Sequence, residues 1–256
     1  MELGLRDRVY VVTGASRGLG LAAAQQLVAD GARVVLCSRD QERVTQAARD
    51  LGEDVAVGLA ADLGHRSTAD TLLAAALKRF GRVDGAVISV GGPPPGSVAE
   101  VTDDQWRAAF ESVFLGALRL ARSVLTAERA EPGDDRSVTL VLSSSVRNPI
   151  AGLGISNGLR PGLAMAAKSL ADEFGPTGAR VNVLLPGRID TDRVRELDAS
   201  SGDPDGSRTR ASASIPMRRY GRPEEFGRVA AFVASPAASF VSGSAVTVDG
   251  GMTRAL

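Results

Sequence analysis

The sequence contains one cysteine and one histidine among 256 residues, and each scarcity excludes a class of site. Cys37 alone cannot form a disulfide within the chain, and it cannot supply a cysteine metal cluster. With His65 as the only histidine, a centre that needs several imidazole ligands is excluded as well. We therefore expect no metal site, and we interpret Cys37 as a packed strand residue and His65 as a surface loop residue.

Net charge and long apolar runs are also lacking. Thirty basic side chains balance thirty acidic ones, which gives a formal net charge of zero. This balance provides no overall attraction to nucleic acid or to an anionic membrane. No segment approaches the roughly 18 uninterrupted apolar residues that a membrane span needs, and the charged N-terminal residues do not have the form of a secretory signal. We expect a cytoplasmic protein that binds a small molecule rather than nucleic acid or a membrane.

The sequence does have a regular alternation of short β-branched runs and longer stretches rich in alanine and leucine. The short runs predict strands, at residues 8–13, 33–37, 55–60, 85–89, 137–143, 179–185 and 244–248. The stretches between them predict helices, at residues 19–29, 39–51, 67–80, 103–125, 156–174 and 224–234. Continuously apolar strands are typical of a parallel sheet that is buried on both faces. The alternation predicts a single α/β domain over residues 1–256, a doubly wound Rossmann-type fold with a seven-stranded parallel sheet and helices on both faces.

One segment departs from this alternation. Residues 196–214 are polar, show no apolar periodicity and contain the turn-like run Asp203-Pro204-Asp205-Gly206. A loop of this length in a compact domain is commonly a lid or a disordered segment. We therefore expect a mobile lid over a binding cleft at about residues 190–216.

The turn between the first strand and the first helix is rich in glycine. Gly14, Gly18 and Gly20 have the spacing Gly-x3-Gly-x-Gly, a relative of the dinucleotide-binding fingerprint. Glycines at such a turn permit a tight bend and the close approach of a pyrophosphate, and the amide groups at the helix start attract phosphate oxygens. The motif therefore predicts a dinucleotide cofactor.

Together with motifs further along the chain, this turn gives a family resemblance. The sequence resembles the short-chain dehydrogenase/reductases over nearly its whole length, in the segments 13–20, 61–63, 169–173, 180–182, 186–191, 221–225 and 248–251. The resemblance implies a nicotinamide dinucleotide as cofactor and a homo-oligomer, a dimer or tetramer, formed through the fourth and fifth helices. The cofactor contacts that it implies are Gly14, Ser16, Arg17, Gly18, Leu19, Gly20, Ser38, Arg39, Asp62, Leu63, Ser89, Gly91, Arg160, Pro186, Gly187, Ile189 and Thr191. In the family, the residues at positions 62 and 63 flank the adenine, and those at 189 and 191 contact the nicotinamide carboxamide.

Charge at the end of the second strand distinguishes NADP from NAD. An NAD site generally places a carboxylate there for the ribose hydroxyls, whereas an NADP site places an arginine nearby. Here the strand is followed by Ser38 and Arg39, and Arg17 lies in the glycine-rich turn. Two guanidinium groups suit a 2′-phosphate, so NADP(H) is favoured over NAD(H). The alternative is that Arg39 lies on the surface of the next helix and that Asp40 binds the ribose.

The catalytic side chains that the resemblance implies are largely missing. Ordinary members carry Tyr-x-x-x-Lys at the start of the fifth helix, where the tyrosine is the acid/base and the lysine lowers its pKa. Counting back from the 169–173 motif places Ser156 and Arg160 at these two positions. The chain has two tyrosines, Tyr10 and Tyr220, and the sequence places neither of them in the motif.

Two further positions of the family's active site bear on the chemistry. The serine after the fifth strand is present within Ser143-Ser144-Ser145, where the spacing favours Ser144 and Ser145. The asparagine of the fourth helix is replaced by Val113. The loop after the fourth strand contains three consecutive prolines, at 93–95, which stiffen it and remove backbone donors.

These replacements change which reactions the site can support. A tyrosine donates a proton because its pKa near 10 is lowered by a neighbouring cation, whereas an aliphatic hydroxyl is a poor donor and an arginine does not deprotonate in proteins. The candidate catalytic residues Ser144, Ser145, Ser156 and Arg160 would stabilise an oxyanion while solvent supplies the proton. The chain resembles divergent, 3-oxoacyl-carrier-protein-reductase-like members of the family. We expect an NADP(H)-dependent oxidoreductase for an activated carbonyl, an imine or a conjugated alkene. The alternatives are a catalytically silent NADP(H)-binding sensor or partner protein, and a non-redox enzyme on the same scaffold.

Overall fold

Seven parallel strands form one sheet in the order β3-β2-β1-β4-β5-β6-β7 in the computed structural model, which describes residues 2–127 and 136–254. The predicted α/β fold class is confirmed, and each strand begins and ends within two residues of its predicted position. The strands are β1 (Val9–Thr13), β2 (Arg33–Ser38), β3 (Ala56–Ala60), β4 (Gly85–Ser89), β5 (Ser137–Val141), β6 (Arg180–Pro186) and β7 (Ala245–Val248).

Helices cover both faces of the sheet, as the alternation of apolar runs predicted. They are α1 (Gly18–Ala29), α2 (Gln41–Leu51), α3 (Thr68–Phe80), α4 (Asp103–Ala109), α5 (Gly116–Thr126), α6 (Gly154–Phe174), α7 (Asp192–Ala199), α8 (Pro204–Ser214) and α9 (Pro223–Ala234). The stretch 103–125, predicted as one helix, is interrupted by a π-helical turn, Phe110–Leu115, between α4 and α5. In the described part of the chain, no helix has the length and apolar character to cross a membrane.

The prediction of an irregular loop at residues 196–214 is wrong, because α7 and α8 occupy most of this segment. Asp203 caps the start of α8 by accepting a hydrogen bond from the Gly206 amide, and Pro204 occupies the first turn, where a proline is tolerated. The run that resembled a turn is thus a helix start. Apolar periodicity is absent because α8 buries none of its side chains and α7 buries only the acidic Asp198.

Each face of the sheet has its own apolar core. One is formed between the sheet and α3, α5 and α6, and the other lies between the sheet and α1, α2 and α9. The strand order reverses between β1 and β4, since β1 pairs with β2 on one side and with β4 on the other. Ligands of open α/β sheets bind outside the carboxyl ends of the strands at such a reversal. There the Thr13 hydroxyl donates to the Ser89 carbonyl oxygen at 2.8 Å and joins β1 to β4.

The second core depends on the close approach of α1 and α9. A Cβ atom at Gly227 of α9 would lie 2.4 Å from the carbonyl oxygen of Ala22 in α1. We predict that Gly227→Ala lowers the free energy of unfolding by about 1–3 kcal/mol, because the helices must separate. Urea denaturation measures the change. The matched control is Gly175→Ala at the end of α6, where a Cβ atom would meet nothing within 4 Å and φ is −53°. An equal loss of stability in both variants would contradict the prediction.

Candidate cofactor cleft and serine pair

The glycine-rich turn lies between β1 and α1, at the carboxyl edge of the sheet. Gly14 and Gly18 have φ values of 59° and 63°, which side chains disfavour. A Cβ atom at Gly20 would lie 2.4 Å from the Gly14 carbonyl oxygen, so only glycine lets α1 begin this close to β1. Arg17, the residue before α1, makes no side-chain cap, which leaves the first amides of the helix without a side-chain partner. The turn therefore has the form of a phosphate cradle.

Arg17 extends from this turn to α7. Its Nη1 atom lies 3.3 Å from Asp192 Oδ2 and 3.4 Å from Glu196 Oε1, and all three side chains are about half exposed. An exposed ion pair of this kind contributes up to about 1 kcal/mol, so a phosphate could replace either carboxylate. No periodicity in the sequence links position 17 with 192 and 196. The pairing was therefore not predicted.

The side chains that were predicted to determine whether NADP or NAD binds lie at the end of β2. Arg39 is exposed there, and within the described residues no carboxylate pairs with it. Asp40 accepts a hydrogen bond from the Arg43 amide at 3.0 Å and thereby caps α2. The Ser38 hydroxyl bonds to the backbone of Asp40. The carboxylate of Asp40 therefore serves helix α2, while the Arg39 side chain is open to solvent.

Asp62 and Leu63 follow β3 at the same edge. Asp62 Oδ1 accepts from the Gly64 amide at 2.8 Å and stabilises the turn there. Leu63 packs against the start of α5, where a Cβ atom at Gly116 would lie 2.3 Å from the Leu63 carbonyl oxygen. His65 is an exposed residue of the same loop, as predicted.

Cys37 lies beside this loop but has no chemical role in the cleft. Its thiol donates to the Ala61 carbonyl oxygen at 3.5 Å. Burial, together with the negative charge of Asp62, raises the pKa of Cys37 to about 12. Since the thiolate is the reactive form, Cys37 is not a nucleophile at neutral pH.

Two serines meet after β5. The hydroxyl oxygens of Ser145 and Ser156 lie 3.1 Å apart, and both residues are buried. A short 3₁₀ turn, Ser144–Val146, brings Ser145 to the start of α6. The Ser143 hydroxyl accepts from the Ser145 amide at 3.1 Å and holds this turn. Of the three candidate serines, Ser145 is the one whose hydroxyl contacts position 156, and Ser144 is buried beside it.

Arg160 lies one helical turn after Ser156 and is fully buried. Its Nη1 atom donates to the carbonyl oxygens of Val141, at 3.1 Å, and Leu142, at 2.8 Å. Burial lowers the pKa of Arg160 to about 10, which leaves the guanidinium charged at neutral pH. No carboxylate of residues 2–127 or 136–254 pairs with it, so two backbone dipoles at the end of β5 hold the positive charge.

Neither tyrosine hydrogen-bonds to the serine pair. The Tyr10 hydroxyl donates to the Ala234 carbonyl oxygen in the core, at 3.0 Å. The Tyr220 hydroxyl donates to the Asp198 carboxylate, at 3.0 and 3.2 Å. Val113 is buried in the π-helical turn and offers no polar group. The start of α6 thus presents the Ser156 hydroxyl and the Arg160 guanidinium, while Asn157 is bonded to the Ile150 backbone.

The segment after β6 brings the predicted nicotinamide contacts to the glycine-rich turn. Thr191 Cγ2 lies 3.7 Å from where a Cβ atom of Gly18 would be, so these two residues face each other. Ile189 is buried beside Gly221, with which it forms a short parallel bridge. Pro186 ends β6 opposite Val248. A Cβ atom at Gly187 would lie 2.5 Å from Asp249 Cβ, so a side chain would not fit there.

The proline loop joins the same cleft from β4. The Pro93 carbonyl oxygen accepts a hydrogen bond from Arg193 Nη2 of α7, at 3.2 Å. Gly96 is bonded to the backbone at Gly152 and Gly154, which fixes the other end of the loop to the start of α6. Gly91 precedes the prolines in this loop, and a Cβ atom there would meet nothing within 4 Å. Helix α7 thus contacts both the glycine-rich turn and the proline loop.

Comparison with known proteins places this architecture in a family. The family described as "Enoyl-(Acyl carrier protein) reductase" matches residues 14–253. The chain is 30% identical to the monensin polyketide synthase putative ketoacyl reductase of Streptomyces virginiae over 253 residues, 96% of this chain and 97% of the relative. It is 32% identical to dehydrogenase/reductase SDR family member 4 of Oryctolagus cuniculus over 250 residues, 96% of this chain and 94% of the relative.

A solved structure agrees with these relatives. L-sorbose reductase from Gluconobacter frateurii, complexed with NADPH and L-sorbose, is similar with a TM-score of 0.92 and 30% identity over 100% of both chains. The sheet order, the glycine-rich turn and the extent of these matches lead to one conclusion. The chain belongs to the short-chain dehydrogenase/reductase family.

Proposed function

We propose that this chain is an NADP(H)-dependent oxidoreductase with a non-standard active site, in which Ser156 and Arg160 replace the family's tyrosine and lysine. The observation that carries the proposal is the buried pair of hydroxyls of Ser145 and Ser156, 3.1 Å apart. A charged guanidinium lies one helical turn away, at the carboxyl edge of a dinucleotide-binding sheet.

The cleft fits an NADP(H) cofactor. The glycine-rich turn would hold the pyrophosphate, and Arg17, Ser38 and Arg39 would hold the 2′-phosphate. The adenine would lie by Asp62 and Leu63, and the nicotinamide carboxamide by Ile189 and Thr191. Asp40 caps α2, which argues against its use for a ribose hydroxyl. Similarity to the NADPH complex of L-sorbose reductase supports the same choice.

The side chains at the start of α6 suit stabilisation of a negative oxygen. When bound, NADPH supplies a hydride. One hydroxyl of the Ser145–Ser156 pair donates to the other, which leaves a second hydroxyl proton to bond a substrate oxygen, and Ser144 lies beside them. The fixed charge of Arg160 favours negative charge nearby, but Arg160 does not transfer protons. A serine is a weak acid, so the proton comes from solvent. This arrangement favours an activated carbonyl, an imine or a conjugated alkene as substrate.

A second function is NADP(H) binding without redox turnover, as a sensor or partner protein. The hydrogen bonds of the two tyrosines favour it, since both phenols are engaged away from the serine pair. The same observation is compatible with a non-redox reaction on this scaffold. Cofactor binding and turnover separate these functions.

We predict that the protein binds NADPH more tightly than NADH and that Arg39→Ala weakens NADPH binding alone. Loss of a charge-assisted hydrogen bond to a phosphate costs about 1.5–3 kcal/mol, so the Kd for NADPH rises about tenfold or more. Nicotinamide fluorescence follows both titrations. The matched control is Arg49→Ala, an exposed arginine in the last turn of α2. If Arg39→Ala weakens NADH equally, the assignment of the 2′-phosphate is wrong.

We predict that NADPH is oxidised with a panel of activated ketones, imines and enones, and that Ser156→Ala lowers kcat about 100-fold, as expected when an oxyanion donor is lost. The Kd for NADPH should stay unchanged. Tight binding of NADPH without oxidation of any panel member would favour the silent function.

The double variant Ser156→Tyr with Arg160→Lys tests whether the proposed site lacks only a proton donor. We predict that it gains reduction of unactivated ketones, because a phenol beside an ammonium supplies the missing proton donor. NADPH consumption at 340 nm is the measurement. Continued inactivity with a folded, NADPH-binding variant would mean that Val113 and the proline loop also limit the chemistry.

We further propose that residues 190–216 form a mobile lid of a cytoplasmic enzyme. Helix α7 contacts the glycine-rich turn through Arg17 and the proline loop through Arg193, which supports a role in covering the cleft. These contacts of Arg17 and Arg193 are few and partly exposed. Breaking them when the cofactor enters would therefore cost little free energy.

We propose a dimer or tetramer that forms through α4, α5 and α6. Phe110 is 41% exposed and stacks on Phe114 at 5.1 Å, and Met165 of α6 is 69% exposed. Such apolar groups on neighbouring helices favour a subunit interface.

We predict that Met165→Glu shifts the protein to a smaller species in light scattering. Leu77→Glu on α3, also an exposed apolar residue, should leave the assembly unchanged. Identical masses for the two variants would contradict this interface.

A further inference from the structure

A buried carboxylate lies outside the cleft, on the inner side of α7. Asp198 is 4% exposed and accepts hydrogen bonds from three side chains. The Tyr220 hydroxyl donates to its two oxygens at 3.0 and 3.2 Å, Arg188 Nη1 lies at 3.1 Å, and the Ser207 hydroxyl at 3.0 Å. A buried carboxylate with three donors is well satisfied, and the loss of one donor leaves part of its charge unpaired.

A second carboxylate continues this network. Asp190 accepts from Arg208 at 2.9 Å and from Arg195 at 3.0 Å, and the Arg208 guanidinium lies 4.5 Å from the centre of the Tyr220 ring. The network therefore connects the segment after β6, the helices α7 and α8 of the proposed lid, and the turn before α9. Burial and the bond to Asp198 raise the pKa of Tyr220, so its phenol remains a donor throughout the neutral range.

Between positions 188 and 191, residues of this network alternate with the residues that are predicted to contact the nicotinamide. Arg188 and Asp190 flank Ile189, and Asp190 also precedes Thr191. The backbone follows the same pattern, since the Asp190 amide donates to the Gly221 carbonyl at 2.8 Å and the Gly221 amide donates to the Arg188 carbonyl at 2.9 Å. A Cβ atom at Gly221 would lie 2.5 Å from Ile189 Cδ1, so the residue after Tyr220 supports the Ile189 side chain directly.

We propose that Asp198 and Tyr220 are positioning residues that hold Ile189 and Thr191 at the nicotinamide end of the cofactor site. The inference rests on the proposed binding of NADPH. Asp198 bonds to Arg188 beside Ile189, and Tyr220 bonds to Asp198 and precedes Gly221, whose backbone bonds to the loop. Helices α7 and α8 are tied to the same loop because they share the carboxylates of Asp190 and Asp198. Their loss therefore weakens contacts to the nicotinamide while the adenosine end of the site is unchanged.

Two ligands separate these ends. NADPH occupies the whole site, whereas adenosine 2′,5′-bisphosphate carries the adenine, ribose and 2′-phosphate but no nicotinamide. Calorimetric titration of each ligand is compared for the wild type, Tyr220→Phe and Asp198→Asn. We expect the Kd for NADPH to rise about tenfold in both variants, as for the loss of a hydrogen bond to a charged group. The Kd for the bisphosphate should remain within about twofold.

Tyr10→Phe is the matched control, because it also removes one buried phenol hydroxyl, which is bonded to the Ala234 carbonyl at the opposite end of α9 from Tyr220 and Gly221. Its Kd values for both ligands should equal those of the wild type. Tyr220→Phe carries the test by itself if Asp198→Asn does not fold.

The outcomes distinguish the inference from the function on which it rests. A wild type that binds neither ligand refutes the cofactor proposal. A wild type that binds both, with variants that bind NADPH unchanged, refutes the positioning role. Equal weakening of both ligands in the variants also refutes it, because the effect is then a general loss of structure.

Discussion

The close contact between the start of α1 and the end of β1 is the constraint on which the cleft depends. Any side chain at Gly20 would collide with the Gly14 carbonyl, so the absence of a Cβ atom there sets how near the helix lies to the strand. The same edge receives the ends of the other parallel strands. For this reason Thr191, in the segment after β6, faces Gly18, and the serine pair after β5 lies at the same edge of the sheet.

In the proposed active site at the start of α6, Arg160 would supply a positive charge, and Ser145 and Ser156 would supply hydroxyls in place of a more acidic phenol. Among the described residues, the Arg160 guanidinium is bonded to carbonyl oxygens at the end of β5 and to no carboxylate, so its charge is held but not neutralised there. Hydroxyls at Ser145 and Ser156 can orient an oxygen without protonating it. Such a site favours reactions whose transition state needs charge stabilisation more than rapid proton transfer.

Local patterns in the sequence predicted most of the fold and the outline of the site. The strands are continuous apolar runs, and the glycine-rich turn has a fixed spacing, so both were recognisable. The contact of Ser145, rather than of Ser143 or Ser144, with Ser156 was not recognisable, because it depends on a 3₁₀ turn that spacing does not reveal. Helices α7 and α8 were missed because they bury almost no apolar side chains. The bonds of Asp198 to Tyr220 and of Arg17 to Glu196 join residues far apart in the chain, and only the tertiary structure creates them.

Under the proposed preference for NADP(H), the capping bond of Asp40 links the stability of α2 to coenzyme choice. Because this carboxylate serves the first amides of α2, it cannot turn toward a ribose without uncapping that helix, which costs about 1 kcal/mol. On that proposal, a variant that prefers NAD(H) is expected to carry a new acid at position 38 or 39 rather than to use Asp40. Coenzyme selectivity at this strand end would then depend on the cap of α2, and a change at Asp40 would alter both.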